Sequence, residues 1–128
     1  MTLYDPKRQA LIVNGIDITH WGESMVDYNY GGAFVEGRKG MQGDASTNAL
    51  YNQIPTFTIT LLPQAPILGQ IKAWAENHTK LSLQYTDSNV GAELTVSSTT
   101  CYVQEIGNRT DGNDRTITFM CEEVNETV

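Results

Sequence analysis

The sequence of 128 residues has few basic side chains: eight Lys and Arg stand against fifteen Asp and Glu, for a net charge of −7. Tight nucleic-acid binding needs a positive surface that neutralises phosphates. The basic residues here form no cluster beyond two adjacent pairs, Lys7 with Arg8 and Arg38 with Lys39. The charge balance therefore argues against a nucleic-acid-binding protein.

Long apolar runs are also missing from the sequence. No run approaches the roughly 20 residues that span a bilayer, and the first residues, Met1 to Arg8, lack the apolar core of a signal peptide. We therefore expect no membrane partner and a protein that is made and kept in a cytoplasm.

Cysteine is scarce, with Cys101 and Cys121 alone. Two cysteines this far apart match no CxxC metal spacing and make no secreted disulfide framework. Each lies ten residues from Asp111, inside an expected hairpin turn, so the two are predicted to be cross-strand neighbours. We predict reduced, buried thiols; a disulfide under oxidising conditions is the alternative.

The residues of a catalytic site are absent as well. His20 and His78 are the two histidines, and we expect them at a strand end and a helix end on the surface. The Gly-x-Ser-x-Gly, Gly-x-Gly-x-x-Gly and HExxH patterns do not occur. The run from Asp111 to Asp114 lacks the other ligands of a calcium loop. The sequence predicts neither an enzyme nor a metal or other cofactor.

The residues that are present describe a β-rich domain. Hydrophobic residues make up 40% of the chain, enough for one core over residues 1–128. Apolar residues alternate with polar ones in most segments, and Asn14-Gly15 is typical of a tight hairpin turn. We predict seven or eight antiparallel strands, including 8–13, 16–21, 24–30, 56–62, 80–86, 92–106 and 115–121.

One segment has helical periodicity. Pro66 suits a first helical position, and apolar residues then recur at intervals of three and four up to His78, which predicts a helix at about 65–78. The predicted fold is α+β and mainly β: an antiparallel β-sandwich or half barrel with one flanking helix.

Two segments lack such periodicity. Residues 37–53 are polar and glycine-rich, which predicts a long loop or an extended hairpin, and long connections of this kind are usually functional. Residues 122–128 form an acidic tail that we expect to be solvated.

The order of these features resembles the tail tube proteins of contractile-tail bacteriophages, which are related in fold to the tubes of type VI secretion systems. The resemblance covers nearly the whole chain. It is carried by Tyr4-Asp-Pro-Lys-Arg8, Val13-Asn-Gly-Ile16, Ile18-Thr19, Gly40-Met-Gln-Gly-Asp-Ala-Ser46 and Thr56-Phe-Thr-Ile-Thr-Leu-Leu62 with the helix that follows.

The resemblance implies a structural virion protein. In that family six subunits close a ring, inner sheets join into one barrel around a lumen, and rings stack into a tube. It implies that the chain binds itself and also the tail sheath, baseplate and tail-terminator proteins. DNA would pass through without specific binding, and assembly would take place in the host bacterial cytoplasm.

The resemblance also assigns roles to particular residues. The segment 37–53 is expected to reach the neighbouring ring with help from residues 1–6, and its contact candidates are Arg38, Lys39, Met41, Asp44, Leu50 and Tyr51. Carboxylates in the lumen would repel DNA phosphates. The candidates for that lining are Asp27, Glu36, Asp87, Glu93 and Glu105.

Three alternatives remain at this point. The chain is another tail, baseplate or secretion-tube component, or an acidic hydrolase with paired carboxylates. The third is a carbohydrate-binding β-sandwich in which Trp21, Tyr28, Tyr30 and Trp74 stack on a sugar. Against this last alternative, Trp74 falls on the apolar stripe of the predicted helix.

Overall fold

The computed structural model describes residues 5–108 and 112–127. Those residues form ten strands, one α-helix (α1) and one short 3-10 helix at Pro6–Arg8. The strands are β1 Gln9–Val13, β2 Ile16–Asp17, β3 Trp21–Asn29, β4 Val35–Lys39, β5 Ala45–Ala49, β6 Thr56–Leu61, β7 Leu81–Asp87, β8 Leu94–Ile106, β9 Arg115–Cys121 and β10 Asn125–Thr127; α1 is Leu68–Glu76. The predicted α+β, mainly β class is confirmed. The predicted turn centre at Asp111 and residues 1–4 lie outside the described residues.

Eight strands form one antiparallel sheet that curls into a half barrel. Seven of them follow the order β2-β1-β7-β8-β9-β6-β3, and β10 pairs with β8 next to β9. The pair β4 and β5 forms a separate two-stranded sheet. The described chain therefore consists of a curled sheet and a small hairpin that projects from it.

The core lies on the inner face of the curl. Along β6, Phe57, Ile59 and Leu61 are fully buried while the threonines between them are half-buried, as the alternation predicts. The ring of Phe57 lies 6.2 Å from that of Tyr85 on β7, although β6 and β7 are not neighbours in the sheet. Side chains from both halves of the curl therefore meet and exclude water from its interior.

The helix α1 is shorter than predicted. It spans nine residues, Leu68–Glu76, instead of about 65–78, because residues 63–64 and 66–67 form turns. Ile71 and Trp74 are its buried residues. At its end the amide of Thr79 donates to the Trp74 carbonyl at 3.0 Å, and His78 has a φ of 51°. This is a Schellman ending with His in the position that usually holds glycine.

The second predicted strand is also shorter, and the three strands beyond the seven predicted ranges are β4, β5 and β10. β2 covers Ile16–Asp17 rather than residues 16–21. After it, Ile18 is buried and its amide donates to the Leu11 carbonyl at 2.9 Å. His20 then adopts a φ of 63°, which breaks the extended chain before β3 begins.

The C-terminal tail includes a strand, β10, that the sequence does not predict. Strand β8 is thirteen residues long, and β9 pairs with it over residues 101–106. β10 continues along the same edge and pairs with residues 95–97 of β8. The acidic side chains of the tail are exposed, but Glu126 accepts a hydrogen bond of 3.0 Å from the Tyr28 hydroxyl.

The cysteines are joined by a disulfide. Cys101 and Cys121 are directly opposite each other in the β8–β9 register, as the sequence predicts, and both are fully buried. The prediction of two reduced thiols is therefore wrong, because the two side chains face each other at one position of the ladder and are bonded. The bond joins the central strands of the sheet.

Candidate functional site

The segment predicted as a loop or hairpin is a hairpin. β4 and β5 pair in a regular antiparallel register from Val35 opposite Ala49 to Lys39 opposite Ala45. The tip is closed by the Gly40 amide, which donates to the Asp44 carbonyl at 2.7 Å. Every residue of both strands is exposed. We call residues 33–54 the arm.

The base of the arm is held by specific contacts to the sheet. The arm leaves at the end of β3 and returns at the start of β6. The amide of Ile54 donates to the Gly31 carbonyl at 3.3 Å. Gly31 has a φ of 100°, and a Cβ there would collide with the backbone of Ile54. A glycine is therefore required at this crossing of the two chain segments.

The arm exposes large apolar side chains. Met41 at the tip and Tyr51 near the base are almost fully exposed, at 107% and 92%, and Phe34 and Val35 are more than half exposed. Arg38, Lys39 and Asp44 are exposed as well, whereas Leu50 is half-buried at the base. Several large apolar side chains exposed on one segment favour a surface that binds a partner.

The five carboxylates predicted to line a lumen are not all on one surface. Glu36 is on the arm, and Glu93 precedes β8. Asp87 is buried, and its carboxylate accepts hydrogen bonds from the backbone and side chain of Asn89 at 3.0 and 2.8 Å. Asp27 on β3 and Glu105 on β8 are exposed.

The structure brings Asp27 and Glu105 to the same face of the sheet. The registers align Asp27 with Thr58, Thr58 with Thr118, and Thr118 with Glu105 in one row across four strands. Three strand spacings separate the two carboxylates by about 14 Å. This outer surface of β3, β6, β9 and β8 is called the hydroxyl face; its described residues are Asp27, Asn29, Thr56, Thr58, Thr60, Tyr102, Glu105, Thr116, Thr118 and Met120.

The hydroxyl face is polar and anionic. Its ten described side chains include two carboxylates and no Lys or Arg. A β-bulge in β8 creates part of this arrangement: Val103 is opposite Phe119 and Glu105 is opposite Thr118, so Gln104 is the extra residue. Sequence alternation alone does not reveal a bulge, so it does not predict that Glu105 joins the row.

The half barrel is open at both sides. Within the described chain, β3 pairs with β6 on one edge and with no strand on the other, and β2 pairs with β1 alone. Unpaired backbone groups at such edges are ready to pair with another chain. The edge strand β3 also carries Asp27, so an edge and the hydroxyl face belong to the same region.

The aromatic residues of the carbohydrate-binding alternative do not form one surface. Trp74 belongs to α1, and its side chain is buried, as its place on the apolar stripe predicts. Tyr28 stacks on Phe57 with ring centroids 4.7 Å apart, while Tyr30 contacts Phe34 on the arm at 5.1 Å. Burial, and then the hydrogen bond to Glu126, raises the pKa of Tyr28 above its ordinary value.

The described residues also give no sign of other kinds of site. Within ranges 5–108 and 112–127, no group of three or more His, Cys, Asp or Glu side chains is placed to hold a metal ion. No helix in the same ranges has the length and apolar character needed to cross a membrane. Both histidines are exposed, His20 before β3 and His78 after α1.

Comparisons with known proteins show a shared fold. No protein-family model and no curated protein matches the sequence. Solved structures do match. A chain in the cryo-EM structure of the sheath/tube terminator of PVC, an extracellular contractile injection system, has a TM-score of 0.65 and 15% identity, with 100% of this chain and 99% of that chain covered.

Two further chains are similar. One is in the structure of the anti-feeding prophage cap, the AFP tube terminating cap, with a TM-score of 0.64, 13% identity and coverage of 99% and 92%. The other is in the PVC sheath-tube complex, with a TM-score of 0.63, 13% identity and coverage of 98% and 91%. The chain therefore has a fold found in components of contractile injection systems.

Proposed function

We propose that this protein is a structural, non-catalytic subunit of the inner tube of a contractile tail. Its subunits would close into rings of six, stack into a tube, and surround an acidic lumen through which DNA passes. The observation that carries the proposal is the open half barrel with a polar, anionic outer face beside an unpaired edge. The shared fold with components of contractile injection systems supports it.

The two unpaired edges of the sheet support the proposed ring. An open half barrel with two unpaired edges invites pairing, and a closed ring of identical subunits pairs every edge without open-ended aggregation. The edge at β3 and the edge at β2 belong to opposite ends of the strand order, so one can meet the other head to tail. Such a contact generates a ring when the rotation closes.

The hydroxyl face is the best candidate for the lumen wall. Threonine hydroxyls keep such a wall hydrated, and Asp27 with Glu105 gives it negative charge without a compensating cation among its described residues. Like charges repel at distances within the Debye length, about 8 Å in physiological salt. DNA would therefore slide along this wall without binding. Asp87 is excluded from the wall by its burial.

The arm is proposed to contact the neighbouring ring. Its strands have no apolar face covered by their own subunit, and an isolated two-stranded hairpin is marginally stable in water. Burial of Met41 and Tyr51 against a second ring would stabilise the stack, with Arg38 and Lys39 available for ion pairs. The virion tail, assembled in a bacterial cytoplasm with sheath and baseplate partners, is the proposed location.

Electron microscopy of two proteins tests this assignment of the arm. Negative staining of the concentrated wild-type chain should show rings with a central hole and stacks of such rings. A variant that lacks residues 40–48 should remain folded, because those residues are exposed, and should form rings without stacks. Long tubes from the shortened variant would contradict the role of the arm.

Charge reversal tests the lumen wall. In the variant Asp27→Lys with Glu105→Lys, assembled particles should retain short double-stranded DNA in a form protected from nuclease. The matched control, Glu123→Lys with Glu76→Lys, makes the same change in net charge at exposed positions outside the hydroxyl face and outside both edge strands. Equal nuclease-protected DNA in both variants would contradict the assignment of this face to the lumen.

A tube terminator is the second candidate, because two of the similar chains come from structures of a tube terminating cap and a sheath/tube terminator. A terminator ends a tube, so it should form single rings that do not stack at any concentration. The same micrographs of the wild-type protein therefore separate the two candidates.

A further inference from the structure

A groove lies at the end of the sheet that is farthest from the arm. It is lined by Trp21, Gly22, Leu62, Gly112, Asn113 and Asp114. Gly22 makes room for the Asp114 side chain in the wall of the groove: a Cβ at this position would collide with the Asp114 carboxylate and would approach Thr60 Cγ2 to 2.9 Å. The indole of Trp21 and the side chain of Leu62 are half-buried in its wall.

The arm and the groove are at opposite ends of the same two strands. The arm joins β3 after Asn29 and joins β6 before Thr56, whereas the groove contains Trp21 at the start of β3 and Leu62 just after β6. The six-residue β6 spans about 20 Å, and the arm from Val35 to Met41 spans about the same distance. In subunits stacked end to end, the arm end of one subunit therefore faces the groove end of the next.

The chemistry of the tip matches that of the groove. The tip presents Met41, which is fully exposed, beside the cation Lys39. The groove offers an indole, an aliphatic side chain and the Asp114 carboxylate. A thioether packs favourably on an aromatic ring, and opposite charges at an interface set the register of the contact.

We infer that this groove is the receptor for the arm tip of a second copy of the chain. Met41 packs against Trp21 and Leu62, and Lys39 approaches Asp114. The inference rests on the proposed tube function, and it adds the identity of the receiving surface. Because the arm tip and the groove are different surfaces, the contact is heterologous, and repeated contacts extend along an axis without closing.

Chemical cross-linking tests the contact. The variant Met41→Cys with Asn113→Cys places two exposed thiols on the tip and in the groove, and the native cysteines are buried in their disulfide. A short bismaleimide should link successive subunits into a ladder of dimers, trimers and higher species on a denaturing gel. The control, Met41→Cys with Lys72→Cys, keeps the tip thiol but moves its partner to the exposed side of α1.

The outcomes separate the two proposals. A ladder from the groove variant but not from the control supports the receptor. Stacked rings that give no ladder, or an equal ladder from both variants, overturn the receptor and leave the tube function standing. Protein that does not stack at all overturns both, because no second copy is then in place to receive the arm.

A double-mutant comparison gives an independent readout. Lys39→Gln should raise the concentration needed for stacking by about fivefold, the size expected for one lost ion pair. Asp114→Asn keeps the shape of its side chain and should raise the concentration by a similar factor, and the two changes together should have no greater effect than either alone, because both remove the same pair. Additive effects would show that Lys39 does not meet Asp114 and that the proposed register is wrong.

Discussion

The curled sheet and the arm are both built from antiparallel strands, but they differ in what covers those strands. Inner-facing side chains of the sheet, such as Phe57 and Ile117, are fully buried, while every residue of β4 and β5 is exposed. Both regions have paired strands, so what distinguishes them is whether their side chains are buried within the subunit. The sheet stabilises the subunit, whereas the arm has surface to bury against another molecule.

Truncation of one large side chain in each region tests this difference most strongly. Phe119→Ala should lower the free energy of unfolding by about 3–5 kcal/mol, because it leaves a cavity in the core. Met41→Ala should change it by less than about 0.5 kcal/mol, since Met41 contacts solvent. Urea denaturation of unassembled protein measures both. A large loss in Met41→Ala would show that the arm stabilises its own subunit.

The disulfide should be the next largest contribution. Cys101 and Cys121 are separated by 20 residues in sequence, and a bond closing a loop of about this length restricts the unfolded chain by about 3 kcal/mol. Unfolding in the presence of a reductant should therefore occur at lower urea. The variant without residues 40–48 is the control and should show the same dependence, because the deleted residues are exposed and belong to a separate two-stranded hairpin. If the reductant lowers the stability of the shortened variant by less than that of the wild type, the arm and the disulfide are energetically coupled.

The contact of Tyr28 with Glu126 should appear as a pH dependence. The pKa of Tyr28 is raised in the folded protein, by burial first and by Glu126 second. The protonated Tyr28 hydroxyl therefore stabilises the folded protein fully below about pH 10, the ordinary tyrosine pKa. Above that pH the hydroxyl of the unfolded chain ionises first, so the free energy of unfolding falls as the pH rises. Tyr28→Phe should flatten this decline and cost about 1 kcal/mol at neutral pH. If the free energy of unfolding of Tyr28→Phe falls as steeply at alkaline pH as that of the wild type, groups other than Tyr28 cause the fall.

The smallest expected effect is at the end of α1. His78 has a positive φ, which glycine adopts without steric cost. His78→Gly should therefore raise the free energy of unfolding by about 0.5–1 kcal/mol without affecting assembly. Asn77→Gly is the control, because Asn77 has a φ of −89° and gains nothing from glycine. Equal stabilisation by both changes would contradict the Schellman ending.

The core strands of the sheet could be predicted from sequence because each has one buried face. Alternation in Thr56–Leu61 and Arg115–Cys121 identifies both the strands and their inward residues. Asn14 and Gly15 have φ values of 55° and 83°, as the predicted hairpin turn requires. In these segments local preference and tertiary packing agree.

Other features depend on partners that sequence alternation does not reveal. β10 forms because β8 extends beyond β9, and its own side chains are exposed. The start of α1 is set by turns near Pro63 and Pro66 rather than by the apolar stripe. The bulge at Gln104 moves Glu105 onto the row of Asp27, while the loop after β7 buries Asp87. The arm was predictable because its composition is unlike the rest of the chain.

A cryo-EM map of the particle that the wild-type chain forms on its own would test the proposed ring and its lumen together. We expect a closed ring with a central channel whose wall is the hydroxyl face, with Asp27 and Glu105 toward the channel and α1 away from it. A map in which α1 faces the channel, or in which the subunits form no closed ring, would rule out this arrangement.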